Sequence, residues 1–517
     1  MTVTDERFPM NASETVDVVV VGMGSAGLAA ALTAHDAGAD VLVLEKTSPQ
    51  HAGGNSRVSG QVWFNPDDVD LARRHLHAMS WQYSVPDELA GVWASETSRN
   101  TEWLLGLAEQ TRGRVQRDAG DPYDGDGTDF VQISWGDTLR LQGVKNPPED
   151  EYDEVEGHDC GSDYNVIGGS MGFSRLWLLL KTCLNDSGVE VLYQTRALRL
   201  VEEPGAGVTG VLVSGADGER VIGARRGVVL ATGGFAANRE MARNYLRLPN
   251  ATPWGNPACT GDGIKMAQRV GADLAHPYNY MAMPGIAMPP FTTGQDAMPR
   301  GARFINVGAD GRRFVDESVP NRHGKSIQRG MFDFYPGVPM WTIFDEDGRL
   351  AGPLVLPRQF FAVDWIRQVE GYEWSLDNSA EVERGWITRA DSVRELADKL
   401  GIDADGLDAE VNRYNELAES GCDDPTFGRT AATMHPITRP PFYGYEWAQL
   451  LITTMGGIRK DEFARALDPF GDPIPGLYCA GDVSSTYSWC CSGGMGLGDA
   501  LAFGRIAGRH AAEAPNR

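Results

Sequence analysis

Cysteine is scarce and unpatterned in this chain. The seven residues Cys160, Cys183, Cys259, Cys422, Cys479, Cys490 and Cys491 fall in no pairing order along 517 positions. An odd, scattered count excludes a disulfide scaffold and points to a reducing compartment. No CxxCH haem-attachment segment and no CxxC zinc pair occurs. Long apolar runs are also missing: no stretch reaches the roughly 18 residues a membrane helix needs. The first residues, MTVTDERFPMNASE, lack the basic-then-apolar order of a secretory signal. The expected location is the cytoplasm. Positive charge is short as well, with 46 Lys+Arg against 71 Asp+Glu and a formal net charge of −25. Such a surface repels nucleic-acid phosphates and anionic lipid, so neither partner is expected. Repeats and low-complexity linkers are absent.

What is present is a globular balance of 42% hydrophobic and 23% charged residues, at a length that predicts two or three domains. The 62 glycines cluster in short loops, as in proteins whose backbone passes close to a large ligand. The first cluster is the most informative. Val16–Val21 (VDVVVV) is a run typical of a strand buried on both faces. Gly22-Met23-Gly24-Ser25-Ala26-Gly27 follows directly, then an alanine-rich helical stretch Leu28–Ala37, then a second apolar run Val41–Leu44 ending at Glu45. Strand, GxGxxG, helix, strand and acid in this order form a dinucleotide-binding βαβ unit. The helix N-terminus offers N–H groups and a positive dipole end to a pyrophosphate; Glu45 can accept from a ribose diol. Three later segments favour FAD over a nicotinamide cofactor. They are the second glycine turn His51-Ala52-Gly53-Gly54-Asn55-Ser56, the strand ending Val228–Gly234, and Gly476–Asp482. Ligand-facing loops at both ends of the chain call for a long cofactor across a discontinuous domain.

The chain resembles the soluble branch of the fumarate reductase/succinate dehydrogenase flavoprotein family, which includes ene-reductases and ketosteroid dehydrogenases. The likeness covers nearly the whole sequence. It is carried by Gly22–Gly27 with Glu45, Gly53–Ser56, Ala231–Phe235, Thr260–Gly263, Asp310–Glu317 (DGRRFVDE), Asn412–Asn415, Thr454–Gly457 and Gly493–Asp499. The resemblance implies an α/β fold: a Rossmann-like FAD-binding domain in two sequence segments, 1–277 and 455–517, with an inserted α+β capping domain over 278–454. It implies cofactor contacts from Gly22, Gly24, Ser25, Ala26, Gly27, Glu45, Lys46, Gly53, Gly54, Asn55, Ser56, Gly60, Ala197, Thr232, Gly233, Asp262, Gly481, Asp482, Gly496 and Leu497. Relatives that bind FAD covalently use a histidine in the second glycine turn, where this chain has Asn55 and Ser56; the flavin is expected to be non-covalent, with His51 a loop residue. Gly494-Met495-Gly496-Leu497-Gly498 opens a helix, Asp499–Ala512, aimed at the flavin. No second dinucleotide fingerprint appears, so the electron donor or acceptor stays unidentified.

The same resemblance implies hydride transfer at flavin N5 and proton transfer through an arginine fed by an acid and a second arginine. The matching positions are Arg322, Asp296 and Arg300, each offset by one from the family spacing, with His323 an alternative and a surface ion-pair cluster the bland reading. Fumarate reductases hold the substrate carboxylates with a histidine and an arginine; those places are Thr453 and Cys491 here. A dicarboxylate without cations is poorly compensated in a dry pocket, so the expected small-molecule substrate is neutral or bulky. Met281, Met283, Met288, Pro289, Pro290 and Phe291, with Tyr487 and Trp489, are either core or an apolar substrate wall. Tyr487 is a candidate to polarise a substrate carbonyl, as tyrosines do in ketosteroid dehydrogenases. Cys490 and Cys491 read as small packing residues rather than a redox disulfide. The acidic segment Glu149–Asp163 reads as an exposed insertion without metal-ligand spacing, and Ser392–Leu400 and Asp408–Ser420 as amphipathic helices.

Overall fold

The computed structural model of the chain describes residues 12–81, 84–111, 114–116, 130–132, 139–146, 156, 160–166, 174–301, 303–318, 325–328, 331–334, 339–355, 364–489, 491 and 494–517. Two compact units are present. The first comprises residues 1–238, 258–279 and 454–517; the second comprises 239–257 and 280–453.

The first unit is built on an eight-stranded sheet. Its centre is the strand Glu14–Val21, paired in parallel with Val41–Leu44 on one side and Gly218–Leu230 on the other. The parallel series continues to Glu190–Leu192 beyond the former and Pro473–Cys479 beyond the latter. Val18, Val19 and Val20 are fully buried, as a β-branched run covered on both faces requires. The helix Ser25–Asp36 follows the central strand and packs against the C-terminal helix Met495–Glu513. That helix begins four residues before the position expected from sequence. Gly494, left-handed at φ +77°, caps it, and Gly496 and Gly498 lie inside its first turns. Glycines that weaken a helix in isolation are tolerated because tertiary packing carries it: Phe64 N–H donates to the Gly494 carbonyl (3.0 Å) and Asn100 Nδ2 to the Gly498 carbonyl (3.0 Å).

The second unit carries two four-stranded sheets, one from Ala251–Pro253, Ala448–Thr454, Tyr280–Ala287 and Gly294–Asp296, the other from Phe304–Gly308, Met340–Asp345, Phe442–Glu446 and Thr388–Ala390. The alternation of strand side chains splits the second sheet's contacts into two cores. Phe304, Met340, Phe344, Tyr443 and Tyr445 point into one, with Met288 and Trp386; Ile305, Val307, Trp341 and Ile343 point into the other. This second core is closed by the helices Val393–Leu400 and Ala404–Ser420, capped by Ser392 and Asp403. Met288 is wholly enclosed and Phe291 packs on Tyr372 and Trp386. These two residues are therefore core rather than substrate wall. The segment Glu149–Asp163 falls mostly outside the described residues; its end enters the strand Gly161–Val166, paired with Trp63–Pro66.

Candidate functional sites: a flavin cradle and a carboxylate pair

The glycine loop turns between the central strand and its helix because two positions admit no side chain. A Cβ on Gly22 would lie 2.4 Å from the Ala231 carbonyl oxygen, and one on Gly27 would lie 2.0 Å from that of Gly22. Around this turn the structure links several of the other sequence-derived cofactor residues. Ser56 Oγ accepts from Ser25 N–H (2.9 Å), joining the second glycine turn to the first helix. Gly481 packs on Ala26, and Gly263 on Thr232. Lys46 Nζ reaches Thr260 Oγ1 (2.9 Å) and Asp262 Oδ2 (3.0 Å), while Arg196, beside Ala197, binds the other oxygen of Asp262 (3.1 Å). Burial raises the Asp262 carboxyl, yet Lys46 and Arg196 together hold it below its ordinary value. Glu45 is buried, its Oε1 accepting from the backbone N–H and hydroxyl of Thr47 (both 2.8 Å). His51 is exposed, Nδ1 3.1 Å from Ser48 Oγ. Gly60, Gly233 and Asp482 are half-buried loop residues, and Leu497 is half-buried on the C-terminal helix.

These residues fit an FAD. Gly24, at the start of the helix Ser25–Asp36, has no side chain to cap it; apart from the Ser25 N–H held by Ser56, the N-terminal end of the helix suits an anion. Ser25 Oγ and Thr232 Oγ1 are buried with no hydrogen-bond partner among the described residues, a cost that a bound polar ligand removes. Side chains built on Gly54 and Gly496 would meet nothing within 4 Å, so both glycines border open space. One cradle residue escaped the sequence. Trp177, on the helix Arg175–Ser187, donates from Nε1 to the Met23 carbonyl (2.8 Å) and lays its ring where a Gly53 side chain would be. It lies 154 positions from Met23, and a lone tryptophan in a leucine-rich helix carries no signal of that contact.

The second unit holds Asp296 at the end of the strand Gly294–Asp296. Burial, then the neighbouring Asp364 carboxylate, push the Asp296 carboxyl up to about 6; Arg367 and Arg300 pull the other way. Asp364 is itself buried, accepting from both Gln295 Nε2 (3.2 Å) and the Arg367 N–H (3.0 Å), with Arg367 Nε at 3.3 Å. Arg300 donates to the carbonyls of Pro353 (3.2 Å) and Leu354 (3.1 Å). Asp364 and Arg367 were not singled out in the sequence, although their three-residue spacing is that of a helical ion pair. Arg322 and His323 lie outside the described residues.

Tyr487 requires a correction. Its hydroxyl donates to the Met495 carbonyl (2.8 Å) and accepts from Trp93 Nε1 (3.0 Å), in a site 3% exposed. Burial, then nearby Asp499, push the phenol well above its ordinary value. The phenolic proton is spent on holding the first turn of the C-terminal helix, so Tyr487 positions that helix and does not polarise a carbonyl. Cys491 is buried, and Cys490 lies outside the described residues. Among the described residues no cluster of three potential metal ligands occurs, and no helix is long and apolar enough to cross a membrane.

An FAD binding domain family matches residues 17–497. The 3-oxosteroid 1-dehydrogenase of Mycolicibacterium smegmatis is 30% identical, over 95% of this chain and 96% of its own. The vinyl phenol reductase of Lactiplantibacillus plantarum is 27% identical, over 97% of each chain. Among solved structures, the 3-ketosteroid delta1-dehydrogenase of Sterolibacterium denitrificans superposes with a TM-score of 0.70 at 25% identity, covering 97% of this chain and all (100%) of that one. The chain belongs to the FAD binding domain family and is an FAD-dependent oxidoreductase acting on CH–CH bonds.

Proposed function

We propose that the protein reduces a carbon–carbon double bond conjugated to a carbonyl in a neutral or bulky substrate. The observation that carries this reading is the identity of two residues. Where fumarate reductases place a histidine and an arginine on the substrate carboxylates, this chain has Thr453 and Cys491, both buried. A hydroxyl and a thiol do not compensate a desolvated carboxylate, which costs several kcal/mol, whereas either tolerates a neutral ketone.

FAD, held without a covalent bond, supplies the hydride. The unit made of 1–238, 258–279 and 454–517 serves as its domain, and the unit made of 239–257 and 280–453 as the substrate cap. Arg322 passes the proton to the alkene carbon next to the carbonyl. Asp296 and Arg300 reload it; a carboxyl that exchanges its proton at about pH 6 suits that duty. The molecule that reloads the flavin is separate and unidentified, and the site of action is the cytoplasm.

The relatives named 3-oxosteroid 1-dehydrogenase favour a second reading, in which the enzyme runs the reverse dehydrogenation of a saturated ketone. One experiment separates the two. The FAD-loaded protein is photoreduced without oxygen and mixed with neutral enones, steroid enones and fumarate; the oxidised protein is mixed with the saturated ketones. Rapid reoxidation by a neutral enone, retained in Tyr487→Phe to within tenfold, is expected. Reoxidation by fumarate alone overturns the neutral-substrate reading, and flavin reduction by the saturated ketone with no reoxidation by its enone establishes the dehydrogenase.

A further inference from the structure

A lysine is buried in the flavin-binding unit for no reason the preceding chemistry uses. Lys460 follows the Gly456-Gly457 turn and bridges Ala466 through its backbone. Its side chain is 0% exposed, with Nζ 3.6 Å from Asp499 Oδ2, itself on a side chain 7% exposed. The ammonium also sits 3.6 Å above the centre of the Phe503 ring. Asp499 and Phe503 are one turn apart on the helix Met495–Glu513 and so share the face that grips the lysine. Neither Lys460 Nζ nor Asp499 Oδ1 has a hydrogen-bond partner among the described residues.

This is a poor way to stabilise a fold. Two charges leave water, their separation exceeds hydrogen-bond distance, and an apolar pair of equal volume does as well or better. Burial depresses the Lys460 amine, and Asp499, Cys479 and Asp482 oppose that shift. The location accounts for an ionic pair. Lys460 lies under the first turns of the helix that presents Gly496 and Leu497, and beside the strand end that leads to Gly481 and Asp482. These are the two segments assigned to the flavin from the C-terminal part of the chain.

We propose that Lys460 and Asp499 form a buried charge pair that sets the reduction potential of the bound flavin. Two-electron reduction adds negative charge to the flavin. The Lys460 ammonium adds to the positive end of the helix dipole and favours that charge; the Asp499 carboxylate opposes it and keeps the lysine ionised. The proposal rests on the assignment of these two segments to FAD.

The test is a spectroelectrochemical titration of the FAD-loaded protein at mildly acidic pH, which favours the protonated amine, with flavin content measured first. Lys460→Met is expected to lower the equilibrium constant for flavin reduction at least tenfold, about 30 mV for a two-electron couple. Asp499→Asn is expected to raise it by a similar factor, and Lys460→Arg to stay within threefold of wild type. Shifts of opposite sign are a signature that loosened packing does not produce. Variants that hold full FAD yet lie within twofold of wild type overturn the proposal and leave the cofactor assignment standing; so do shifts of the same sign. Should Lys460→Met fail to fold, the Asp499→Asn shift decides alone. A wild-type protein that takes up no FAD overturns both.

Discussion

The second unit contains two clusters made from the same ingredients, two arginines and two carboxylates, one fully buried and the other half-buried apart from Asp364, and they behave differently. In the first, Arg313 makes paired bonds to Glu317 (2.8 and 2.6 Å) and a third to Asp424 (2.7 Å), while Arg429 binds Glu317 (2.8 Å). All four side chains are at most 1% exposed. Burial pushes Asp424 up, but the backbone of Thr426 and the Arg313 guanidinium hold it below the ordinary carboxylate range. In the second, Arg300 spends its donors on backbone carbonyls, and Asp364 takes the bonds of Arg367 and Gln295. For Asp296, burial and the like charge of Asp364 outweigh the pull of Arg367 and Arg300, and it rises to about 6. Geometry decides the outcome: bidentate pairing fixes charges permanently, whereas unpaired proximity leaves one proton exchangeable near neutral pH.

The contrast breaks most visibly at the closed cluster. Glu317→Gln leaves Arg313 and Arg429 under-compensated inside the protein, which costs about 3–5 kcal/mol. Denaturant unfolding followed by fluorescence checks this. Turnover per folded, FAD-loaded molecule is expected to stay near wild type, because the cluster holds a scaffold. A loss below about 1 kcal/mol, the worth of a solvent-exposed pair, removes the distinction between the clusters.

At the open cluster the expectation reverses. Asp296→Asn keeps the shape and removes a carboxyl that already resists ionisation, so stability is expected to change little. Reoxidation of the photoreduced flavin by a neutral enone is expected to slow by about 10²–10⁴-fold, the usual share of a general acid–base group. Stopped-flow absorbance reads the rate. A variant as fast as wild type takes Asp296 out of the proton path.

The two clusters also differ in how they could be read. DGRRFVDE stood out as a motif at 310–317, and the structure makes its Arg313 and Glu317 a clamp, closed by Asp424, 111 positions from Arg313. Local sequence revealed the motif; only the long-range partner reveals its role. The glycine loop was legible in full, because strand, turn and helix are neighbours in the chain and their spacing alone dictates the backbone path. Trp177, Asp364 and the Lys460–Asp499 pair were not legible, since each owes its environment to distant segments. Tyr487 differs from its expected role for the same reason: the resemblance to ketosteroid dehydrogenases suggests chemistry until Trp93, 394 positions away, is found on its oxygen.

The smallest effect is a displacement in pH, and it tests whether Asp364 is what separates the open cluster from the closed one. Reduction needs Asp296 protonated, so its rate is expected to fall as pH rises through about 6, and the reverse dehydrogenation to rise over the same range. In Asp364→Asn a neighbouring negative charge disappears and Arg367 loses its partner. Both changes favour the ionised form of Asp296, so its titration moves to lower pH, by about one unit. The fall in enone-driven reoxidation is then expected to begin at correspondingly lower pH, with an unchanged plateau on the acid side. A midpoint that stays in place, or moves upward, means that Asp364 does not control the proton on Asp296 and that burial alone distinguishes the two clusters.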